Sequence, residues 1–216
     1  MQGIDLKAEE RKAFRATVDT GLWDVFIATL VAMFAIAPLL SGTLGDFWSA
    51  AVFVPVWAVA YAAVRVIQGR VLVLRVGRVE WSAHREARMK RFGVSMLIVN
   101  VVALLLGSIA AITAQRGAGD PWAFPATFSV IVLLGFSLAA YSLNIPRLFF
   151  YGLLLAAAPL IGEGLFRRGL ASHHGFPVVF GTAALTIATV GVIKFALVLR
   201  RTRHIGADGS MVERND

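Results

Sequence analysis

Long apolar runs separated by short polar segments dominate the chain. Each run carries almost no charge and is long enough to cross about 30 Å of hydrocarbon as a helix. Backbone amides in lipid must hydrogen-bond within their own segment, and the runs are too uniformly apolar for barrel strands. The pattern predicts an all-α fold, a polytopic transmembrane helix bundle that forms a single integral membrane domain over residues 1–216. About six spans are expected, at residues 22–41, 47–67, 93–114, 122–143, 147–165 and 176–199.

One segment departs from this pattern, "VLVLRVGRVEWSAHREARMKRF" at residues 71–92. Residues 71–81 alternate and are rich in valine, which favours a short strand or a hairpin that turns near Gly77. Ser82 then offers an N-cap for a helix that leads into the third span. The whole connection, residues 68–92, is therefore predicted to be a basic loop with a short strand or hairpin.

The distribution of lysine and arginine predicts the orientation, because short cytoplasmic loops are enriched in both residues. The segment before the first span holds four basic residues, and the 68–92 loop holds seven. The connection after the first span holds none, and the one after the third holds only Arg116. Both termini and the 68–92 loop are thus expected on the cytoplasmic side. Arg167 and Arg168 disagree, since the scheme places them outside.

Composition supports the membrane interpretation, and it changes which partner the net positive charge predicts. The 216 residues are 58% hydrophobic and 16% charged, and the mean hydropathy is +0.74. These values lie far from those of an ordinary soluble domain. A net charge of +8 would suggest nucleic acid as the partner of a soluble protein. In a membrane protein the anionic headgroups of the bilayer are the expected counter-charge, and no nucleic acid is expected.

The basic run in the 68–92 loop gives four candidate contacts to anionic lipid. They are Arg85, Arg88, Lys90 and Arg91. Each is worth about 1 kcal/mol near an anionic surface. The alternative is that these residues only set the topology, as basic flanks do in membrane proteins generally.

Two stretches carry a resemblance to known proteins. The lead "TVDTGLWDVF" at residues 17–26 and the later "LRVGRVEW" at residues 74–81, with the basic run after it, resemble a set of uncharacterised prokaryotic multi-pass membrane proteins. The resemblance covers the first half of the chain. It implies the cytoplasmic membrane of a prokaryote and no particular chemistry.

Ionisable and polar groups at membrane depth are the candidates for chemistry. Glu163 stands in "PLIGEGLF" between two glycines, with Arg167 four residues later. It is either an interfacial carboxylate paired with Arg167 or water, or part of a binding site or ion path. Asn100 in the third span is either a helix-packing residue or a second member of that path.

Other chemistry is disfavoured. His173 and His174 are adjacent, so on a helix they would point apart, and a solvated loop is expected rather than a metal site. The chain has no cysteine, which excludes disulfides and thiolate sites. No hydrolase, zinc-protease or phosphate-loop motif occurs. The sequence thus predicts neither an enzyme nor a cofactor.

Two functions remain. The favoured one is a non-enzymatic membrane protein that acts through contacts with lipid or protein, the protein partner being a second copy or another membrane protein. The alternative is a small-solute or ion transporter with Glu163 and Asn100 in its path.

Overall fold

The computed structural model describes residues 20–72, 90–99, 101–102, 105–106, 108–109, 120 and 122–212. For residues 71–72 and 201–212 it describes the backbone alone. All regular structure in these residues is helical. The helices are α1 (Leu22–Ala51), α2 (Phe53–Ile67), a π-helical turn (Gln68–Leu72), α3 (Ala123–Leu143), α4 (Arg147–Arg167), a 3-10 turn (His173–Gly175) and α5 (Phe176–Val212). The described residues between 90 and 109 are also helical.

Four of the described helices are long and apolar enough to cross a membrane. They are Leu22–Ala51, Ala123–Leu143, Arg147–Arg167 and His173–Arg200. Large apolar side chains also remain exposed along the helices, and those of Val59 and Leu185 are each 70% exposed. Within the described residues, the predicted all-helical fold is therefore confirmed, with helices long and apolar enough to cross a membrane. The expected number of about six spans is not confirmed, because α2 has only 15 residues and the 93–114 span is described only in part.

The predicted strand or hairpin at residues 71–81 is not supported. Val71 and Leu72, its first two residues, lie in the π-helical turn that continues from α2, and the rest of that segment lies outside the described residues. A two-stranded hairpin is marginal by itself. A helix that simply continues satisfies its backbone groups within its own segment.

The chain divides into two compact units, and each is described by itself. The first takes its residues from Met1–Leu30, Ala51–Glu80 and Ala184–Asp216, and the second from Val31–Ala50 and Trp81–Ala183.

In the first unit, the start of α1 packs against α2 in antiparallel fashion. The indole Nε1 of Trp57 donates a hydrogen bond to the carbonyl oxygen of Thr29 at 3.3 Å. One turn earlier in α1, the ring of Phe26 contacts Tyr61 edge-on, with centroids 6.0 Å apart. Leu22 is buried in the same core as Val64. Residues progressively earlier in α1 thus contact residues progressively later in α2. The two segments are antiparallel, so the chain must reverse direction between them.

The helical backbone of α1 is interrupted at one residue near this reversal. Gly45 has φ 76° and ψ 162°, which are not helical angles. Positive φ costs glycine little because it has no Cβ. Val52, between α1 and α2, keeps right-handed helical angles of φ −59° and ψ −22°. The larger break therefore lies at Gly45, inside the polar segment predicted to separate the first two spans.

In the second unit, α3 and α4 form an antiparallel pair. The hydroxyl of Ser129 lies 2.5 Å from the carbonyl oxygen of Ala156 and 2.8 Å from that of Pro125. Asn144 ends α3 in the left-handed conformation, with φ 56°. Such a residue lets the chain leave the helix while its amide closes the last turn. The predicted spans at 122–143 and 147–165 correspond closely to these two helices.

An aromatic cluster lies in the same unit. The ring of Phe34 in α1 contacts Phe128 of α3 and Phe180 of α5, at centroid distances of 5.6 and 5.1 Å. Phe180 is only 2% exposed. Rings that meet at such distances contribute about 0.5–1.5 kcal/mol beyond their buried area. The cluster thus joins the middle of α1 to α3 and to the start of α5.

Candidate functional site at the turn between α4 and α5

The backbone between α4 and α5 makes a tight turn that needs unusual angles. His173, His174 and Gly175 all have positive φ, at 50°, 54° and 67°. For a residue with a Cβ the left-handed region costs roughly 1–2 kcal/mol. Consecutive residues held there indicate that surrounding contacts enforce the conformation, which is common at functional sites.

A close backbone contact is one such constraint. A Cβ on Gly162 of α4 would lie 2.6 Å from the carbonyl oxygen of His174, and one on Gly175 would lie 2.6 Å from the carbonyl oxygen of Gly162. Only glycine fits at both positions. The turn therefore presses directly against the last part of α4.

Glu163 is the centre of a polar cluster at this contact. Its side chain is only 7% exposed. Oε1 accepts a hydrogen bond from Nε of Arg167 at 2.9 Å, and Oε2 lies 2.8 Å from Nδ1 of His174. The predicted pairing with Arg167 is confirmed. The helix places the two residues one turn apart, and the glycine contact brings the histidine to the other oxygen.

Aromatic rings surround the two partners of Glu163. The imidazole of His174 lies over Phe166, with centroids 4.3 Å apart. The guanidinium of Arg167 lies 5.2 Å from the ring centre of Trp122. That tryptophan directly precedes α3, and its backbone N–H donates a hydrogen bond to the side chain of Asp120 at 3.0 Å. We call Glu163, Arg167, His174 and Trp122 the turn cluster.

His174 also makes a contact that the sequence analysis did not predict. Its ring is 58% exposed, as a solvated loop residue would be, but it is bound to Glu163 rather than free. Sequence spacing could not show this bond, because the two residues are eleven positions apart. The one available signal was that Glu163 is the nearest carboxylate in the sequence.

A cleft lies beside the turn cluster, between the bend of α1 and the 3-10 turn. Its volume is about 370 Å³. Most of its lining surface is apolar, and the lining residues include Phe34 and Phe176 together with the polar residues Ser41, Asp46, Ser49 and His174. We call this space the turn cleft. His174 thus belongs to both features, and it connects Glu163 to a space that a small molecule can enter.

Metal binding finds no support in this arrangement. Within the described part of the chain, no three His, Asp or Glu side chains converge closely enough to hold a metal ion.

The remaining predicted site residues lie elsewhere. Lys90 and Arg91 begin the helical stretch of residues 90–99, and both are exposed. Arg85, Arg88 and Asn100 lie outside the described residues. Of the predicted site residues that the structure describes, only Glu163 lies at the turn.

Comparison with known proteins adds no family. No known family matches the sequence, and neither a curated protein nor a solved structure is significantly similar to it.

Proposed function

We propose that the protein is a non-enzymatic, multi-pass integral membrane protein that acts through contacts with lipid or protein. The supporting observation is the exposed apolar surface of its long helices, such as Val59 and Leu185 at 70% exposure each. Soluble monomers rarely expose contiguous apolar patches of great size. Lipid is the environment in which such side chains need no further partner.

We further propose six spans. Because α1 is broken at Gly45, residues 46–51 continue into α2 and form a separate helix with it. That helix, residues 46–67, is then long enough to cross the hydrocarbon. The antiparallel contacts of Trp57 with Thr29 and of Phe26 with Tyr61 support a first helix pair. The helical residues between 90 and 109 supply the third span.

The basic loop favours six spans over four. With six spans and a cytoplasmic N-terminus, residues 68–92 lie in the cytoplasm. If only the four longest helices crossed, the same seven basic residues would lie outside, against the positive-inside rule. We therefore propose that both termini and this loop are cytoplasmic, in the cytoplasmic membrane of a prokaryote.

Single cysteines test this layout, because the chain has none of its own. Thr43→Cys and Ser172→Cys should react with an impermeant maleimide in intact cells. Gln68→Cys and Asn144→Cys should react only after the cells are opened. Gln68 is the decisive position, since it is inside with six spans and outside with four. Reaction of Gln68→Cys in intact cells would refute the proposal.

Contact with anionic lipid is the proposed role of Arg85, Arg88, Lys90 and Arg91. Each contributes about 1 kcal/mol near an anionic surface. Replacing all four with glutamine should reduce the phosphatidylglycerol that copurifies with the protein, as counted by native mass spectrometry. Arg200→Gln, at the end of the apolar part of α5, is a single-charge control. Equal lipid retention in the fourfold variant and the wild type would exclude this role.

A second candidate function is transport of a small solute or ion, with Glu163 and Asn100 in its path. It is favoured by one observation: His174, which is bonded to Glu163, lines the turn cleft. Purified protein in liposomes, offered labelled ions and small metabolites, should then show uptake that Glu163→Gln abolishes. Absence of uptake across the panel leaves the contact function as the better proposal.

A further inference from the structure

We infer that the turn cleft is a binding site for a small primary ammonium compound with an apolar body. This goes beyond the proposed function, and it holds for either a contact protein or a transporter. The inference rests on the hydrogen-bonding direction of the polar groups in the cleft, on Asp46 and on the aromatic wall.

The two serines of the cleft offer acceptors and no free donor. The hydroxyl of Ser41 donates to the carbonyl oxygen of Pro38 at 2.9 Å. That of Ser49 donates to the carbonyl oxygen of Asp46 at 2.8 Å. A hydroxyl has a single proton, so each oxygen has only lone pairs left for a ligand.

The contact with Glu163 also leaves His174 with a hydrogen-bond acceptor for a ligand. An ionised carboxylate can only accept hydrogen bonds, so Nδ1 of His174 carries the proton in the 2.8 Å contact with Oε2. In the neutral ring the other nitrogen, Nε2, is then an acceptor. Glu163 therefore acts as a positioning residue. Its hydrogen bond with Nδ1 fixes the orientation and the tautomer of the exposed imidazole ring.

Charge and shape narrow the ligand further. Asp46 is exposed and lines the cleft, and no lysine or arginine is among the lining residues that the structure describes. The rings of Phe34 and Phe176 form apolar wall. Aromatic faces attract cations and also cover apolar groups. The volume of about 370 Å³ lies at the lower end for ligand pockets, and it suits a molecule with a single ring or a short chain.

A primary ammonium group could come from two kinds of molecule. One is a free amine from solution. The other is the ethanolamine headgroup of a lipid, since the cleft lies at a helix turn where headgroups would be in reach. A primary ammonium has three N–H donors for the acceptors described above, whereas a quaternary ammonium has none. This difference allows a direct test.

The experiment measures equilibrium binding of labelled 2-phenylethylamine to the full chain in phosphatidylcholine nanodiscs. We expect saturable binding that unlabelled 2-phenylethylamine displaces and that its N,N,N-trimethyl derivative displaces about tenfold less well or worse. Equal displacement by the trimethyl compound would overturn the inference, because attraction to the rings alone would explain the binding. Absence of saturable binding would overturn it as well.

Variants locate the site. Asp46→Asn should weaken binding about tenfold or more. Asp120→Asn is the matched control, since Asp120 is also exposed and its amide variant keeps the oxygen that accepts from Trp122. Unchanged affinity in Asp46→Asn, or an equal loss in both variants, would contradict the assignment. The comparison of the two ligands on the wild type does not depend on any variant folding.

A second lipid composition distinguishes a free amine from a lipid headgroup as the natural occupant. Nanodiscs that contain phosphatidylethanolamine should weaken binding of 2-phenylethylamine if the headgroup is the natural occupant. Unchanged binding in those discs assigns the site to a free amine. These outcomes are independent of the cysteine labelling, so a failed binding test and a failed six-span layout can be told apart.

Discussion

Gly162→Ala tests whether the contact between α4 and the turn organises the candidate site. The new methyl group would lie 2.6 Å from the carbonyl oxygen of His174 and 3.2 Å from Cγ2 of Val179. Ordinary contact to a Cβ begins at about 3.4 Å. The backbone oxygen cannot rotate away as a flexible side chain could, so the turn itself must move.

The expected cost follows from that movement. Overpacking by one methyl group usually destabilises by about 1–3 kcal/mol. The shift also moves His174 away from Oε2 of Glu163, where their contact is now 2.8 Å. We therefore expect both a lower melting temperature and a weaker imidazole contact. Binding of 2-phenylethylamine should fall in the same variant.

Gly164→Ala is the matched control, two residues further along the same helix. A Cβ at Gly164 meets nothing within 4 Å, and alanine favours a helix over glycine by up to about 1 kcal/mol. That variant should be as stable as the wild type or slightly more stable. Thermal unfolding in detergent, with NMR of the histidine ring nitrogens, measures both effects. If the two variants unfold alike and keep the same imidazole signals, the turn is not held by this contact.

Three further substitutions test the helix pairs, each by the same unfolding measurement. Ser129→Ala should lower the free energy of unfolding by about 0.6 kcal/mol, the usual value of a hydrogen bond between membrane helices. Ser137→Ala in the same helix is the control and should leave it unchanged. Equal losses in the two variants would contradict the bond from Ser129 to Ala156. Trp57→Phe should cost a similar amount through the lost bond to Thr29, and an unchanged midpoint would argue against that pair. Asn144→Ala should cost roughly 1–2 kcal/mol because alanine resists positive φ, and Asn144→Gly should not.

Much of the helical layout follows from the sequence because lipid leaves the backbone few choices. An apolar run of sufficient length must satisfy its own amides, so it forms a helix wherever it occurs. The predicted start of the last span at residue 176 is the residue at which α5 begins. Glu163 and Arg167 were also predictable as a pair, since residues four apart on a helix lie on one face. Each of these features depends on residues that are close in the sequence.

The turn cluster and the turn cleft depend instead on residues that are distant in the sequence. No local pattern places His174 against Glu163, because that contact requires Gly162 of α4 to meet Gly175 of the 3-10 turn. Asp46 reaches the same cleft from the far end of α1, and nothing in its own neighbourhood predicts His174 as a fellow lining residue. Local spacing thus determined where the helices form and which neighbours pair along them. Only the packing of separate helices decided which polar groups face a common space.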